Sequence, residues 1–335
     1  MLDIIKHRYV NISIAVICLV LSILILIFGE KNYGIDMTGG TQSEYSYSGE
    51  IDLENILSGL DQQKHTFNQE NHNIINGLSA YQVSGEDKIV VEVGFNTEQD
   101  EKTLETFKTT FQSEVGNYLK EQNESFVLYK YTNIGKSFGD YIKKTAFFTL
   151  AISLVGITVY VGFAFYGVAV GVPALTFATI VLFTQFIDVI VASGLYVLTG
   201  LFYSEFKIDT FFITALLTIL GFSINNTIVV FDRVRENIKQ FLKTKKLAEI
   251  INISINETIT RSIYTSLTLV FVLITIYLFG PETLKGFMLV MIFGVVFGTF
   301  SSIFVAGALL YEMNKNQELK IYEKKVVTAE DKIVV

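Results

Sequence analysis

Gly221-Phe-Ser-Ile-Asn-Asn-Thr-Ile-Val-Val-Phe-Asp-Arg-Val-Arg-Glu-Asn237 is the stretch on which the fold turns. It begins inside an apolar run long enough to cross a bilayer. That run carries two adjacent amides, Asn225 and Asn226, with Ser223 and Thr227 beside them. It then breaks into the charged string of Asp232, Arg233, Arg235 and Glu236. Polar groups in hydrocarbon are costly unless they face a neighbouring helix or a cavity, so they mark a helix contact or a functional path. Amides donate and accept hydrogen bonds but do not titrate. The pair can lock two helices or hold a water chain, and it cannot carry a proton by changing charge.

Outward from this stretch the apolar pattern recurs. Of 335 residues 50% are hydrophobic and 18% charged, against about 25% charged in an ordinary soluble chain. A span needs about 20 apolar residues, and six segments meet this, near about 10–29, 143–164, 169–200, 209–231, 254–279 and 285–311. The first is too long for a signal peptide and no small-residue cleavage site follows it, so it reads as a retained helix. Pro173 near the start of the third predicts a turn or kink there. Basic residues cluster before the first span (Lys6, His7, Arg8), between the fourth and fifth (Arg233, Arg235, Lys239, Lys243, Lys245, Lys246) and after the sixth (Lys315, Lys320, Lys324, Lys325). With six spans all three clusters fall on one side, which makes that side the cytoplasm. Residues 1–9 and the tail 312–335 are then cytoplasmic, and 30–142 form a domain outside.

That outer segment mixes periods. Residues 41–48, 88–93 and 125–131 alternate as strands, 51–60 and 99–118 repeat as amphipathic helices, and 61–73, rich in Gln, Asn and His, reads as a loop. Helices among strands in about 110 residues predict a small α+β domain. The single cysteine, Cys18, excludes a disulfide within the chain. One cysteine and three histidines (His7, His65, His72) make no zinc set, so no metal or cofactor is expected. The net charge of −7 comes mostly from the outer segment, and nothing predicts a nucleic-acid partner.

Four more constellations stand out. Gly34-Ile-Asp-Met-Thr-Gly-Gly-Thr41 follows the first span; Gly39 and Gly40 permit positive φ and close backbone approach, and Asp36 can cap local backbone groups. It lacks the Lys-Ser/Thr of a phosphate loop. Asp188, in Phe183-Thr-Gln-Phe-Ile-Asp-Val-Ile190, is a carboxylate in the third span with Gln185 three residues before it. Charged and facing lipid it would cost about 2.5–3.5 kcal/mol, so it is either a proton site or a structural hydrogen-bonding group. In Ile253-Ser-Ile-Asn-Glu-Thr-Ile-Thr-Arg261, Glu257 and Arg261 have the spacing of a helical ion pair, with Thr258 on the same stripe. Arg261 either snorkels or points inward to hold carboxylates ionised. Gly294, Gly298, Ser302 and Ala306, each four apart, form a small-residue packing face in the sixth span. The basic residues after Asp232 read as a topology signal and a lipid-headgroup contact.

Taken in order, these pieces resemble SecF, the auxiliary subunit family of the bacterial protein-export machinery. The Gly34–Thr41 motif is similar to the family's glycine motif after its first span. Gly135-Lys-Ser-Phe-Gly139, Val159-Tyr-Val-Gly-Phe163 and Ile187-Asp-Val-Ile190 follow in place. The strongest match is Ser223-Ile-Asn-Asn-Thr-Ile-Val-Val-Phe-Asp-Arg-Val-Arg-Glu-Asn237, before Thr258-Ile-Thr-Arg261 and Leu278-Phe-Gly280. The resemblance covers roughly 30–45 and 130–311 and implies the six-span half of a resistance-nodulation-division transporter with a ferredoxin-like outer domain. It also implies a SecD-like partner, association with the SecYEG channel downstream of SecA, unfolded secreted polypeptides as cargo, and use of the proton-motive force in the bacterial cytoplasmic membrane. The chain is expected to be a translocase subunit and no metabolic enzyme, with membrane lipids around it.

Two departures qualify this. The family's usual Asp is Asn226 here, and the family's Arg is absent at Ala164, where the segment 166–176 is also expanded. The Asp belongs to the family's proposed proton path, with an Arg matching Arg261. The expected polar centre is therefore Asp188, Asn226 and Arg261, with Asn226 as a hydrogen-bonding member and Gln185, Ser223, Asn225, Glu257 and Thr258 around it. Alternatives are half of an exporter of small molecules or lipids, which usually has a far larger outer domain, and a non-transporting scaffold of the channel.

Overall fold

A computed structural model describes residues 3–29, 31–71, 73–83, 86–95, 101–166, 172–203, 206–241 and 244–315. His72, the middle of the expanded segment after Tyr166, Glu205, Lys243 and most of the basic tail lie outside those residues.

Among the described residues, six helices are long and apolar enough to cross a membrane. They are α1 (Arg8–Phe28), α5 (Lys136–Ala164), α6 (Ala174–Phe202), α7 (Thr210–Phe241), α8 (Leu247–Phe279) and the run Glu282–Asn314. The last run is interrupted. It consists of α9 (Glu282–Phe300), a π turn (Ser301–Val305) and α10 (Ala306–Asn314). The helices run past their apolar cores: α5 starts at Lys136 where the sequence predicts 143, and α7 continues through the charged string to Phe241. Charged residues at helix ends keep good helical propensity although they leave the hydrocarbon. Pro173 kinks nothing; it is the N-cap of α6, where its missing N–H costs no hydrogen bond.

Inside the bundle α6, α7 and α9 are central, while α1, α5 and α8 keep long apolar faces open, among them Ile17, Phe148, Val159, Leu267 and Phe271. Open apolar faces are the expected boundary with lipid or with another membrane chain. Two apolar cores fill the centre. One, around Phe165, Phe177, Val181, Phe231 and Ile255, lies at the end carrying the chain's amino terminus. The other, around Tyr196, Phe212, Ile219, Met291 and Val295, lies at the opposite end.

That opposite end carries the polar domain. Its strands are β1 (Gly40–Ser46), β2 (Ile75–Gln82), β3 (Lys88–Phe95) and β4 (Val127–Ile134), with α3 (Leu53–Glu70) after β1 and α4 (Glu101–Gln122) before β4. All pairings are antiparallel in the order β2-β3-β1-β4. This is the βαββαβ ferredoxin-like arrangement. Ile89, Val91, Val93 and Phe95 alternate toward one face, where they meet Leu60, Phe67, Phe111, Val115 and Leu119 of the two helices. The stretch 61–73 is a correction: α3 runs on to Glu70, because Leu60 and Phe67 bury one face against the sheet and override the polar composition. The sequence also gives no sign of β2, whose residues Asn76, Gly77 and Ser79 are poor strand formers held by pairing with β3.

Candidate functional site

Between the two apolar cores lies a layer of polar side chains. Thr184, Gln185 and Asp188 of α6, Ser223, Asn226 and Thr227 of α7, and Ser301 and Ser302 of the π turn are all buried. The hydroxyls of Thr184, Thr227 and Ser301 bond carbonyls of their own helices at 3.0–3.1 Å, which satisfies them without a partner. Asp188 is different, since its Oδ2 accepts from Ser223 Oγ across the α6–α7 contact. Gln185 reaches the same helix one turn earlier, its Nε2 donating to Leu220 O at 3.1 Å. Asp188 Oδ1, Gln185 Oε1 and Asn226 Nδ2 are buried with no hydrogen-bond partner among the described residues. Buried polar atoms are otherwise almost always paired, so this layer departs from ordinary core packing.

Small residues make room for the layer. A Cβ on Gly298 would sit 3.5 Å from Asp188 Oδ2 and 3.3 Å from Ser223 Cβ, and one on Gly294 would fall 2.2 Å from Ile219 Cδ1. Ser302 and Ala306 are also buried, but the π turn between Gly298 and Ala306 breaks the four-residue stripe. Its extra residue re-aims the helix beside Asp188. Such turns concentrate at functional sites, and the sequence carries no periodic signal for one.

Arg261 does not join this layer. It is exposed on α8, and its guanidinium makes no hydrogen bond or ion pair among the described residues. Nor does it pair with Glu257, as the spacing predicts. Glu257 Oε2 accepts from Arg233 Nε at 2.6 Å and from Asn237 Nδ2 at 2.7 Å, because α7 brings both donors alongside. A same-helix pair is worth only about 0.2–0.5 kcal/mol and loses to that arrangement. Thr258 is buried and bonds Ser254 O at 3.0 Å.

Asn225 faces outward on a line of exposed small or polar residues, Thr214, Thr218, Gly221 and Asn225, at 4-3-4 spacing along α7. On neighbouring α8, Arg261, Thr265 and Thr268 are exposed as well. Asp232 pairs with Arg235 at 2.5 Å, Arg233 also pairs with Glu236, and Arg235 lies over the Phe165 ring. The charged string thus staples the chain to itself, where a headgroup contact is expected from sequence. At the same end Arg8 binds Glu312 at 2.6 Å.

The Gly34–Thr41 motif does its work at a distance. Its one-turn helix α2 (Ile35–Thr38) holds Asp36, whose Oδ2 accepts from Thr210 N at 2.7 Å and from Thr210 Oγ1. Asp36 therefore caps α7 rather than its own turn, beside Asp209, whose Oδ1 accepts from Phe212 N at 2.7 Å. Gly39 and Gly40 follow with φ of +76° and +151°. A Cβ on Gly40 would lie 2.3 Å from Val93 O, so glycine is required. Asp209-Thr210 before an apolar run is a recognisable N-cap signature that the sequence offers. Lys207, which reaches Ser79 and Glu92 of the sheet, gives no such sign.

Comparison with known proteins agrees with this architecture. The family model "Protein export membrane protein SecD/SecF, C-terminal" matches residues 114–316. The chain is 31% identical to the protein translocase subunit SecF of Thermobaculum terrenum, covering 97% of this chain and 98% of the relative. It is 30% identical to that of Endomicrobium trichonymphae, covering 96% and 94%. Among solved structures, SecDF from Thermus thermophilus superposes with a TM-score of 0.73 at 24% identity, over 94% of this chain and 39% of that one. A SecDF structure in a super-membrane-facing form gives 0.60 at 26% identity, over 92% and 38%. The chain thus spans about two fifths of either SecDF chain and nearly the whole of the SecF relatives. With its six apolar helices, its ferredoxin-like domain and its near full-length match to those relatives, the chain belongs to the SecD/SecF family as a SecF-type auxiliary subunit of the protein translocase.

Proposed function

We propose that this subunit works as one half of a proton-driven pair, with a SecD-type subunit seated against the open faces of α7 and α8. Arg261 carries this reading. A guanidinium exposed on an apolar helix, with no side-chain partner among the described residues, is costly in lipid and calls for a second protein surface beside it. Asn225 and the threonine line of α7 continue the same polar surface. Asn226 is buried and cannot titrate, so proton transfer along that surface uses a carboxylate of the partner, which Arg261 keeps ionised. Asp188 is the titratable group buried in this chain's own polar layer.

The pair assists the SecYEG channel after SecA has driven an unfolded chain through, in the bacterial cytoplasmic membrane. The amino terminus and the Asp232–Arg235 end are cytoplasmic and the sheet domain is outside. The clustering of Arg8, Arg233, Arg235 and Lys315 at one end of the bundle supports this orientation.

Two measurements test it. Crosslinking in native membranes should recover a SecD-like chain with SecYEG; recovery of an exporter-type adaptor without Sec components would overturn the reading. Export of a secreted reporter should fall at least about tenfold in Arg261→Ala, as expected for loss of a charge-assisted contact, and persist in Asn226→Asp. Normal secretion by the Arg261→Ala strain rules out the assigned role. Export benefit that survives collapse of the proton gradient would leave a scaffold.

A further inference from the structure

The sheet domain and the bundle each keep an apolar core of their own, and polar contacts through Lys207 link them. The chain crosses between them twice, from α2 into β1 and from β4 into α5. Both crossings run through glycine: Gly39 and Gly40, with positive φ, at the first, and Gly135 at the second. The two crossings touch, since a Cβ on Gly39 would lie 3.0 Å from Lys136 N and 3.2 Å from Ile134 O. The elements on the bundle side of these glycines are fixed. Asp36 caps α7, Gly34 N donates to Ile208 O at 2.9 Å, and Ile208 N donates to Asn32 O at 2.7 Å. A Cβ on Gly139 would strike Met37 O at 2.7 Å, so α2 lies directly against α5.

Across the sheet from these crossings there is a different kind of contact. Lys207, in the α6–α7 connection, donates to Ser79 Oγ of β2 and Glu92 Oε2 of β3. Its main chain is held to the bundle, because Tyr196 Oη of α6 donates to Lys207 O at 2.9 Å. Tyr81 Oη donates to the other Glu92 oxygen at 3.4 Å, and burial followed by the Glu92 charge pushes the Tyr81 phenol well up, so it stays a donor. On either side of the Lys207 contact the sheet stands off the bundle. One cavity of about 390 Å³ is lined by Gln42, Glu44, Lys130, Phe206 and Asp209, and another of about 380 Å³ by Lys31, Tyr33, Asn76 and Gly77. A sheet packed through apolar side chains would leave no such space.

We propose that the sheet domain swings on Gly39, Gly40 and Gly135 as a hinge at its β1–β4 side, and that Lys207 is the latch that closes it at the β3–β2 side. The glycines, Gly39 with Gly40 on one connection and Gly135 on the other, are where a backbone rotation is absorbed at least steric cost. A half-buried ion pair with one added hydroxyl is strong while closed, and both charges are more fully solvated on opening. It can therefore hold a posture without making it permanent. Opening joins the two cavities into one groove under the sheet. Asp36 stays with α7 throughout, so the moving body begins at β1 and not at the end of α1.

The test uses the full-length chain in lipid nanodiscs in a Cys18→Ser background, with spin labels at Thr110→Cys on α4 and Leu201→Cys on α6. The closed arrangement gives one short distance population. Lys207→Glu and Glu92→Lys should each raise the ratio of the long to the short population by about tenfold or more, the expected effect of losing a charge-assisted contact. The double exchange Lys207→Glu/Glu92→Lys should return most of the short population. Unchanged distances in the single variants overturn the latch. Longer distances that the double exchange does not shorten overturn the ion pair as its basis. If Lys207→Glu does not accumulate, Lys207→Gln against Ser79→Ala decides, with the first opening the domain more than the second.

Discussion

Asp188 on α6 and Arg261 on α8 are both charged residues set in membrane helices, and the chain treats them in opposite ways. Asp188 is enclosed, bonded by Ser223 and fitted against Gly298. Arg261 is exposed, and its guanidinium has no bond among the described residues. The first is bonded from within one polypeptide at one of its two oxygens, and the second finds no side-chain partner among the described residues. A polar residue in a membrane helix therefore has two meanings, separated by which face of the helix it occupies. On a face turned inward it belongs to the chain's own interior, and on an outward face it belongs, on the function proposed above, to an assembly.

Stability of the isolated chain can break this contrast. Asp188→Ala should cost the most, about 1–3 kcal/mol, because it strands the Ser223 hydroxyl and leaves a gap between α6 and α7; thermal denaturation in detergent reads it. Ser223→Ala should cost about 1 kcal/mol, the loss of one hydrogen bond to a carboxylate that keeps its packing. Gln185→Leu should cost about 0.6 kcal/mol or less, since it removes the bond to Leu220 O together with an unpaired buried oxygen. Arg261→Ala should change the isolated chain by no more than about 0.5 kcal/mol while damaging export. Equal melting losses in Asp188→Ala and Arg261→Ala would end the distinction. A loss for Arg261→Ala seen only in the complex with the partner would sharpen it.

Much of this arrangement is legible in the sequence. Six apolar runs and three basic clusters define the bundle, and the alternation around Val91 and Val93 marks the sheet. Asp188, Ser223 and Asn226 can be singled out one by one because polar atoms are conspicuous in apolar runs. Which of them meet cannot, since that depends on helix rotation and on the open space at Gly298. The Glu257–Arg261 spacing misleads for the same reason, as a neighbouring helix supplies Arg233 at 2.6 Å. Asp36 reads as a local cap because sequence proximity hides a partner 174 residues away. The helical stretch 61–70 is hidden by its polar composition: Phe67 is its buried apolar residue, and Asn68, whose amide bonds Ile75 of β2, reads as a loop residue.

The π turn at Ser301–Val305 also bears on how the gene can change. A π turn is a helix with one residue too many, accommodated in a single widened loop. Deleting one residue elsewhere in a membrane helix rotates everything downstream by about 100° and turns its buried face toward lipid. A deletion within 301–305 instead removes the surplus and leaves α9 and α10 facing the neighbours they already have. Among the membrane helices this is the place where a shortened allele should still insert and fold, and where length variants are expected to arise and persist.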